Sequence, residues 1–371
     1  MQIRITSILR WAVSSALAFA VFAQPTPRIP VPPRPPKVLA QTRILFVGNQ
    51  AVPPYGSQRD IFLINPDGTG LLNLTHDALT DFKPVWSPDG SKVAFSTLDG
   101  GACYLRVVNM DGSGLRRVMN DPVEFTAPIA WSPDGRSLAY IATPSGHLWR
   151  VNVDGSQKTE LTRFKVGGMD WGSNNKLVFN KTETSGEGWM QLYALNSDGT
   201  GLTLLSRGYR KVLPLWSPNA QKLAYEDLNT GNPTGYVALA KANGAEPNSI
   251  GGGWHPAWSR DSRKVTFIES TRNSVAVSTD GGVGVRIPTT GHSDCPSFSP
   301  DGQFIAYGNR DPGPNNKQLM VVGVSGGPPR PILPAGVTLA PEIMPPGYVC
   351  PRHIVWSPVT YFLPVRVVTR P

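Results

Sequence analysis

The sequence predicts an all-β chain made of repeated four-stranded antiparallel units, and three observations carry that prediction. The segment Pro84-Val85-Trp86-Ser87-Pro88-Asp89-Gly90-Ser91-Lys92-Val93-Ala94-Phe95 returns in altered copies down the chain. An aromatic residue stands in the same place of each copy, at Trp86, Trp131, Trp171, Trp216, Trp258, Phe298 and Trp356, with spacings of 40 to 45 residues and a last one of 58. Composition agrees: charged residues make up 16% of 371 residues, while Gly (38) and Pro (37) abound, a mix suited to short strands and tight turns.

Each unit follows from local chemistry. Val85 to Ser87 reads as a first strand and Lys92 to Ser96 as the returning one. In the turn between them, Pro88 has φ preset, Asp89 bonds its own backbone and Gly90 accepts positive φ. Second strands recur at 44–47, 93–96, 138–141, 177–179, 223–225, 265–268 and 305–307. Third strands follow at 61–64, 104–108, 147–151, 191–195, 236–240, 274–277 and 318–322. These end in Asp67-Gly68, Asp111-Gly112, Asp154-Gly155, Asp198-Gly199, Asn243-Gly244, Asp280-Gly281 and Ser325-Gly326, of which the Asp-Gly and Asn-Gly pairs are strong hairpin signals. Short fourth strands follow, as at 71–75, 159–162 and 202–206.

Four strands per 40 to 45 residues is the period of a β-propeller blade. The first unit (44–75) lacks a Trp-Ser-Pro strand, and Ile354-Val355-Trp356-Ser357-Pro358 supplies one with nothing after it. Open ends would leave two sheet edges exposed. The expectation is therefore seven blades, one assembled from three N-terminal strands and one C-terminal strand. Six blades is the alternative, if Trp356 falls in the Pro-rich tail by coincidence.

Residues 1–23 read as a secretory signal, with Arg4 and Arg10, an apolar run from Trp11 to Phe22 and small residues at Ala18, Ala20 and Ala23. Residues 24–42 hold seven prolines and read as an extended tether. The propeller is assigned to 43–358 and a tail to 359–371. The expected location is periplasmic or extracellular, with membrane contact only through the uncleaved signal segment. The net charge of +9 suits acidic partners; export argues against nucleic acid. Three cysteines, Cys103, Cys295 and Cys350, leave at least one thiol outside any intramolecular bridge. A Cys295–Cys350 bridge is conceivable, since both precede first strands of neighbouring units.

The repeats resemble the WD40-like, PD40-type repeats of the TolB propeller family across nearly all of 43–358. The match is strongest at Trp86-Ser-Pro-Asp-Gly90, Trp131-Ser-Pro-Asp-Gly135 and Phe298-Ser-Pro-Asp-Gly302, and it weakens at 171–175, 216–220 and 258–262. The resemblance implies an exported docking platform in the cell envelope. The α/β domain that precedes the propeller in full-length TolB is not expected here, so neither is the role of the Tol-system component itself.

No catalytic constellation emerges. Gly323-Val324-Ser325-Gly326-Gly327 matches G-x-S-x-G, but Pro328 and Pro329 follow where a nucleophile elbow needs a helix. The Asp residues of the turns lack the spaced oxygen ligands and terminal Glu of a calcium loop. The five His show no metal spacing, and neither cofactor nor metal is expected. The aromatic series itself reads as packing between neighbouring units. The segments leading into the first strands carry charged and aromatic residues: Asp81, Phe82, Lys83, Phe125, Arg210, Lys211, Trp254, His255, His292 and Asp294. If first strands are innermost, these loops ring a channel mouth and form the candidate partner-binding rim. The expected function is a monomeric, non-enzymatic scaffold for an envelope protein or peptide. The alternative is a propeller enzyme or a small-ligand or glycan-binding protein with its site in the channel.

Overall fold

The computed structural model describes residues 42–50, 59–125, 127–182, 190–208, 210–228, 235–270, 274–279, 282–289, 292–310, 317–340 and 354–358. The expected signal segment, nearly all of the tether and the tail lie outside the described residues. The regular structure among the described residues is β-strand throughout. They contain no helix long and apolar enough to cross a membrane.

The units form as their hairpin turns dictate. Thr80–Trp86, Lys92–Asp99, Ala102–Asn109 and Arg116–Val123 pair in that order in one antiparallel sheet. Ala130–Trp131, Ser137–Ile141, Leu148–Asn152 and Thr159–Glu160 make the next, and Val166–Trp171, Lys176–Thr182, Met190–Asn196 and Thr203–Ser206 another. His292–Phe298, Phe304–Arg310, Lys317–Gly323 and Arg330–Pro331 repeat the arrangement. Between them runs a seven-stranded sheet, because Asn248–Trp258 is continuous over 11 residues. Its first half pairs with Tyr236–Lys241 as the outer strand of one unit, and its second half with Val265–Glu269 as the first strand of the next.

The N-terminal strand Ile44–Gln50 pairs with Arg59–Ile64 on one side. Its other side takes the C-terminal strand, with Ile44 opposite Trp356, Leu45 opposite Val355 and Phe46 opposite Ile354. Val337–Leu339, outside the strands predicted from sequence, pairs farther along the same edge with Gly48 to Gln50. Backbone bonds from Ser357 N to Arg43 O (2.8 Å) and from Arg43 N to the Ser357 hydroxyl (3.2 Å) extend the joint.

The deepest packing is on the second strands. Phe46, Phe95, Tyr140, Phe179, Tyr225, Phe267 and Tyr307 are each at most 1% exposed, so one aromatic per unit is sealed between adjacent sheets. First-strand aromatics pack beside them and also stitch units together. The Trp131 indole N–H donates to Val85 O (3.2 Å), that of Trp258 to Leu215 O (3.4 Å) and that of Trp86 to Val355 O (3.3 Å). In each case the acceptor immediately precedes the aromatic of the neighbouring unit. Trp171 departs from this pattern and donates to Asn175 in its own, shorter turn (3.1 Å).

The Ser-Pro-Asp-Gly turns are held by one repeated network. The Ser87 hydroxyl donates to Asp89 (2.6 Å) and accepts from Lys92 N (2.9 Å), and Ser91 N donates to the same Asp89 oxygen (3.0 Å). The Ser132–Asp134 and Ser259–Asp261 turns repeat it. There the serine hydroxyl, foremost, holds the carboxyl of Asp134 and of Asp261 below its ordinary pKa.

The outer hairpin turns show how closely units approach. Gly244 has φ +81°, and a Cβ there would lie 1.8 Å from the Leu205 carbonyl oxygen of the preceding unit. Gly112, in the corresponding turn with φ +84°, has nothing within 4 Å of that position. Gly112→Ala is expected to cost about 1–2 kcal/mol for the left-handed backbone alone. Gly244→Ala is expected to cost at least about 2 kcal/mol more, because backbone must move. Urea denaturation of both variants measures the difference, and equal midpoints would refute the close approach.

Candidate functional site

From sequence, the first strand at Trp86 is expected at Val85 to Ser87, with the residues before it in a loop. The first strands at Trp86, Trp216, Trp258 and Phe298 start earlier than this, because each carries a β-bulge at its proline, Pro84, Pro214, Pro256 or Pro296, whereas Ala130–Trp131 is two residues long. Register shifts fall between Phe82 and Val85, Val212 and Leu215, Trp254 and Ala257, and Asp294 and Ser297. The residue before each proline takes the left-handed conformation: Lys83 at φ 54°, Leu213 at 48°, His255 at 60° and Cys295 at 46°. The bulge leaves one residue unpaired, so a proline is accommodated inside a strand and the side chain before it is re-aimed.

That re-aiming builds a cavity. Lys83, Leu213, His255 and Cys295 all line one space of about 550 Å³, joined by Pro128 and Ile129, by Met169 and Asp170, and by Ile354 to Pro358. First-strand segments from every sheet described above therefore converge on it. The other end of the cavity is bordered by the Ser-Pro turns, through Pro88, Pro218, Pro300 and Pro358 and through Arg260. Asp170, one of the charged groups of the wall, accepts the Trp216 backbone N–H (2.9 Å). Its size falls within the range of small-molecule and peptide-segment sites.

The rim residues inferred from sequence separate in the structure. Lys83 and His255 line the cavity. Asp81 (0% exposed) and Phe82 (4%) are buried within the strand Thr80–Trp86 rather than standing on a loop, a correction that follows from the bulge. Asp81 accepts a hydrogen bond from the Thr97 hydroxyl (2.6 Å), and burial, foremost, pushes its pKa up to about 7. Phe125 packs edge-on against Phe82 (4.7 Å), and the Arg59 guanidinium sits over the same ring. Lys211 is also buried, paired with Asp227 (2.5 Å) and placed over Tyr225. Arg210 is half-buried, and its carbonyl accepts Leu228 N (3.0 Å). Trp254 packs against the cluster of Ile268, Val275 and Tyr307. Asp294 is half-buried and opposite Gly308. His292 begins its strand opposite Arg310, and its side chain lies outside the described residues.

Two features escaped the sequence reading. Glu226 is 1% exposed and accepts the His255 backbone N–H (2.7 Å), clamping the bulge from the second strand of the preceding unit. Burial, foremost, pushes its pKa up to about 8. The Ser-Pro turns, read as hairpin formers only, also border the cavity. Of the cysteines, Cys103 is a buried free thiol, pushed up to about 11 mainly by burial. Cys295 is disulfide-bonded, and Cys350 lies outside the described residues. Among the described residues no group of three or more His, Cys, Asp or Glu side chains is placed to hold a metal ion.

No family model matches the chain. Among curated proteins it is 29% identical over 133 residues to the uncharacterized peptidase YuxL of Bacillus subtilis, covering 34% of this chain and 19% of that protein. It is 33% identical over 86 residues to dipeptidyl-peptidase 5 of Porphyromonas endodontalis, covering 23% and 12%. It is 27% identical over 124 residues to a TolB homolog of Chlorobaculum tepidum, covering 33% and 27%. The chain thus spans between 12% and 27% of the length of these relatives. Among solved structures, TolB from Acinetobacter baumannii superposes with a TM-score of 0.54 at 17% identity, covering 86% of this chain and 67% of that one. An oligogalacturonate lyase in complex with manganese gives 0.61 at 16%, covering 76% and 86%. A prolyl endopeptidase gives 0.58 at 15%, covering 82% and 50%. At such identities the likeness is one of fold.

Proposed function

We propose that this TolB-like β-propeller is an exported, non-enzymatic scaffold, acting in the periplasm or outside the cell, that receives a segment of a protein or peptide partner in its central cavity. In this reading the sheets are seven blades, and the strands pairing at Ile44 and Trp356 close the ring. One observation carries the proposal: first strands from every sheet converge on a single cavity of about 550 Å³ with a wall rich in proline and tryptophan. Such a wall offers apolar contact and few backbone donors, which suits an extended segment held by a few polar groups.

The test is capture of an envelope protein by the immobilised chain, compared with Ala257→Trp, which fills the cavity from its wall. Loss of the captured protein at unchanged melting temperature is the expected result. A double change of Arg210→Ala with Trp254→Ala reports on the flanking segments; loss there with Ala257→Trp intact would move the site out of the cavity.

The similarity to peptidases and to an oligogalacturonate lyase favours a second reading, an enzyme or glycan-binding protein using the same cavity. Turnover of oligogalacturonate or of dipeptidyl substrates by the purified chain, abolished by chelation or by Ala257→Trp, would establish it in place of the first.

A further inference from the structure

One departure from the repeat places a charge at the cavity mouth. The residue after the turn serine is proline at Pro88, Pro133, Pro218, Pro300 and Pro358, but it is arginine at Arg260. Four of those prolines border the cavity, and so does Arg260. A proline there contributes a rigid apolar ring and no donor. The Ser87, Ser132, Ser259 and Ser299 hydroxyls of these turns donate to the turn's own Asp. Arg260 alone among these turn positions offers a charged fork of donors at an exposed place on the rim.

The backbone of its turn is tied to the neighbouring turns. Ser262 occupies the position of Gly90, Gly135 and Gly302, with φ 63°. Buried there, its hydroxyl accepts the Asn219 N–H of the adjacent turn (3.0 Å), and the Ser173 hydroxyl of the turn beyond donates to Pro218 O (2.8 Å). Three neighbouring turns are thereby tied into one segment of the mouth. The carboxyl of Asp261 is already engaged by Ser259 and by Arg263 N (3.1 Å), and Arg263 and Lys264 add positive charge to the same turn. At the bulge end the cavity carries the Lys83 ammonium. Its carboxylate, Asp170, is engaged by Trp216 N. The balance of charge along the cavity favours an anion.

We infer that Arg260 is a specificity-determining residue that selects acidic peptide segments, its guanidinium gripping a carboxylate of the occupant at the proline-bordered mouth. The inference rests on the peptide-binding reading and sharpens it. Proline stands at this place in five sibling turns, so Arg260→Pro restores the repeat's own residue, and Arg260→Gln is a second variant free of backbone change. The probes are a fluorescein-labelled octapeptide alternating Glu and Pro and its Gln-Pro counterpart, followed by fluorescence anisotropy at low and at physiological salt. The native chain is expected to prefer the Glu peptide about tenfold at low salt. Both variants should lose that preference to within about twofold while binding the Gln peptide unchanged. A preference that survives both substitutions overturns the role of Arg260 and leaves the peptide reading standing. Binding of neither peptide by the native chain overturns both.

Discussion

Trp356→Ala should lower stability by about 3–5 kcal/mol, the usual cost of emptying a buried tryptophan site, and should do so by opening the joint between the chain's two ends. Trp356 is 3% exposed and packs with Ile44, Phe46, Cys295, Val337, Leu339 and Ile354. Around it run the three residue pairs of Ile354–Trp356 with Ile44 to Phe46, the Trp86 indole bond to Val355 O, and the Ser357–Arg43 bonds. These interactions span some of the longest sequence separations in the chain, so losing their anchor frees both ends at once. The comparison is Trp258→Ala, whose side chain is only half-buried and sits in a strand continuous with the preceding unit. Hydrogen exchange should show amides of Ile44 to Val47 losing protection in Trp356→Ala and keeping it in Trp258→Ala. Equal protection of those amides in both variants would mean that the ends are held together by something other than this strand.

Much of this architecture was legible because it is written in local chemistry. Asp-Gly and Ser-Pro-Asp-Gly each determine a turn, and the repeated spacing of Trp86, Trp131 and their siblings determines the unit. The unmatched strand at Ile354 even showed where the ends meet. The site was less legible because it depends on a backbone departure that the sequence disguises. Lys83-Pro84 and His255-Pro256 look like the end of a loop, since proline cannot serve a regular ladder. Only the register shift at a bulge reconciles proline with a seven-residue strand such as Thr80–Trp86, and that shift buries Asp81 and Phe82 while aiming Lys83 at the cavity. Asn248–Trp258 was not foreseen as one strand: its Gly251-Gly252-Gly253 run is extended and paired on both sides of the unit boundary, so a single strand serves two units. Glu226 carried no signal at all, because its role is to meet a backbone N–H of His255, 29 residues away.

Glu226 also leads to the second large effect, a stability that declines from acid toward neutral and mildly alkaline pH. Its carboxyl is pushed up to about 8 by burial, foremost, with the His255 N–H acting in the opposite direction. Asp81 is pushed up to about 7 by burial, against the hydroxyls of Thr75 and Thr97. A raised carboxyl keeps its proton in the folded chain at pH values where the unfolded chain has released it. The associated stability is complete below the ordinary carboxyl range near pH 4 and is lost as pH climbs through 7 for Asp81 and 8 for Glu226. Within those windows each group contributes a slope of about 1.4 kcal/mol per pH unit. Glu226→Gln keeps an oxygen to accept the His255 N–H and removes the ionisation. Urea denaturation at about pH 5, 6.5 and 8, which span the range from the ordinary carboxyl value up to the raised Glu226 value, should therefore show a shallower decline for Glu226→Gln than for the native chain. Asp81→Asn should flatten the lower part of the profile only, since its window closes near pH 7. An undiminished decline in Glu226→Gln would show that ionisation of this carboxyl is not what erodes stability over this pH range.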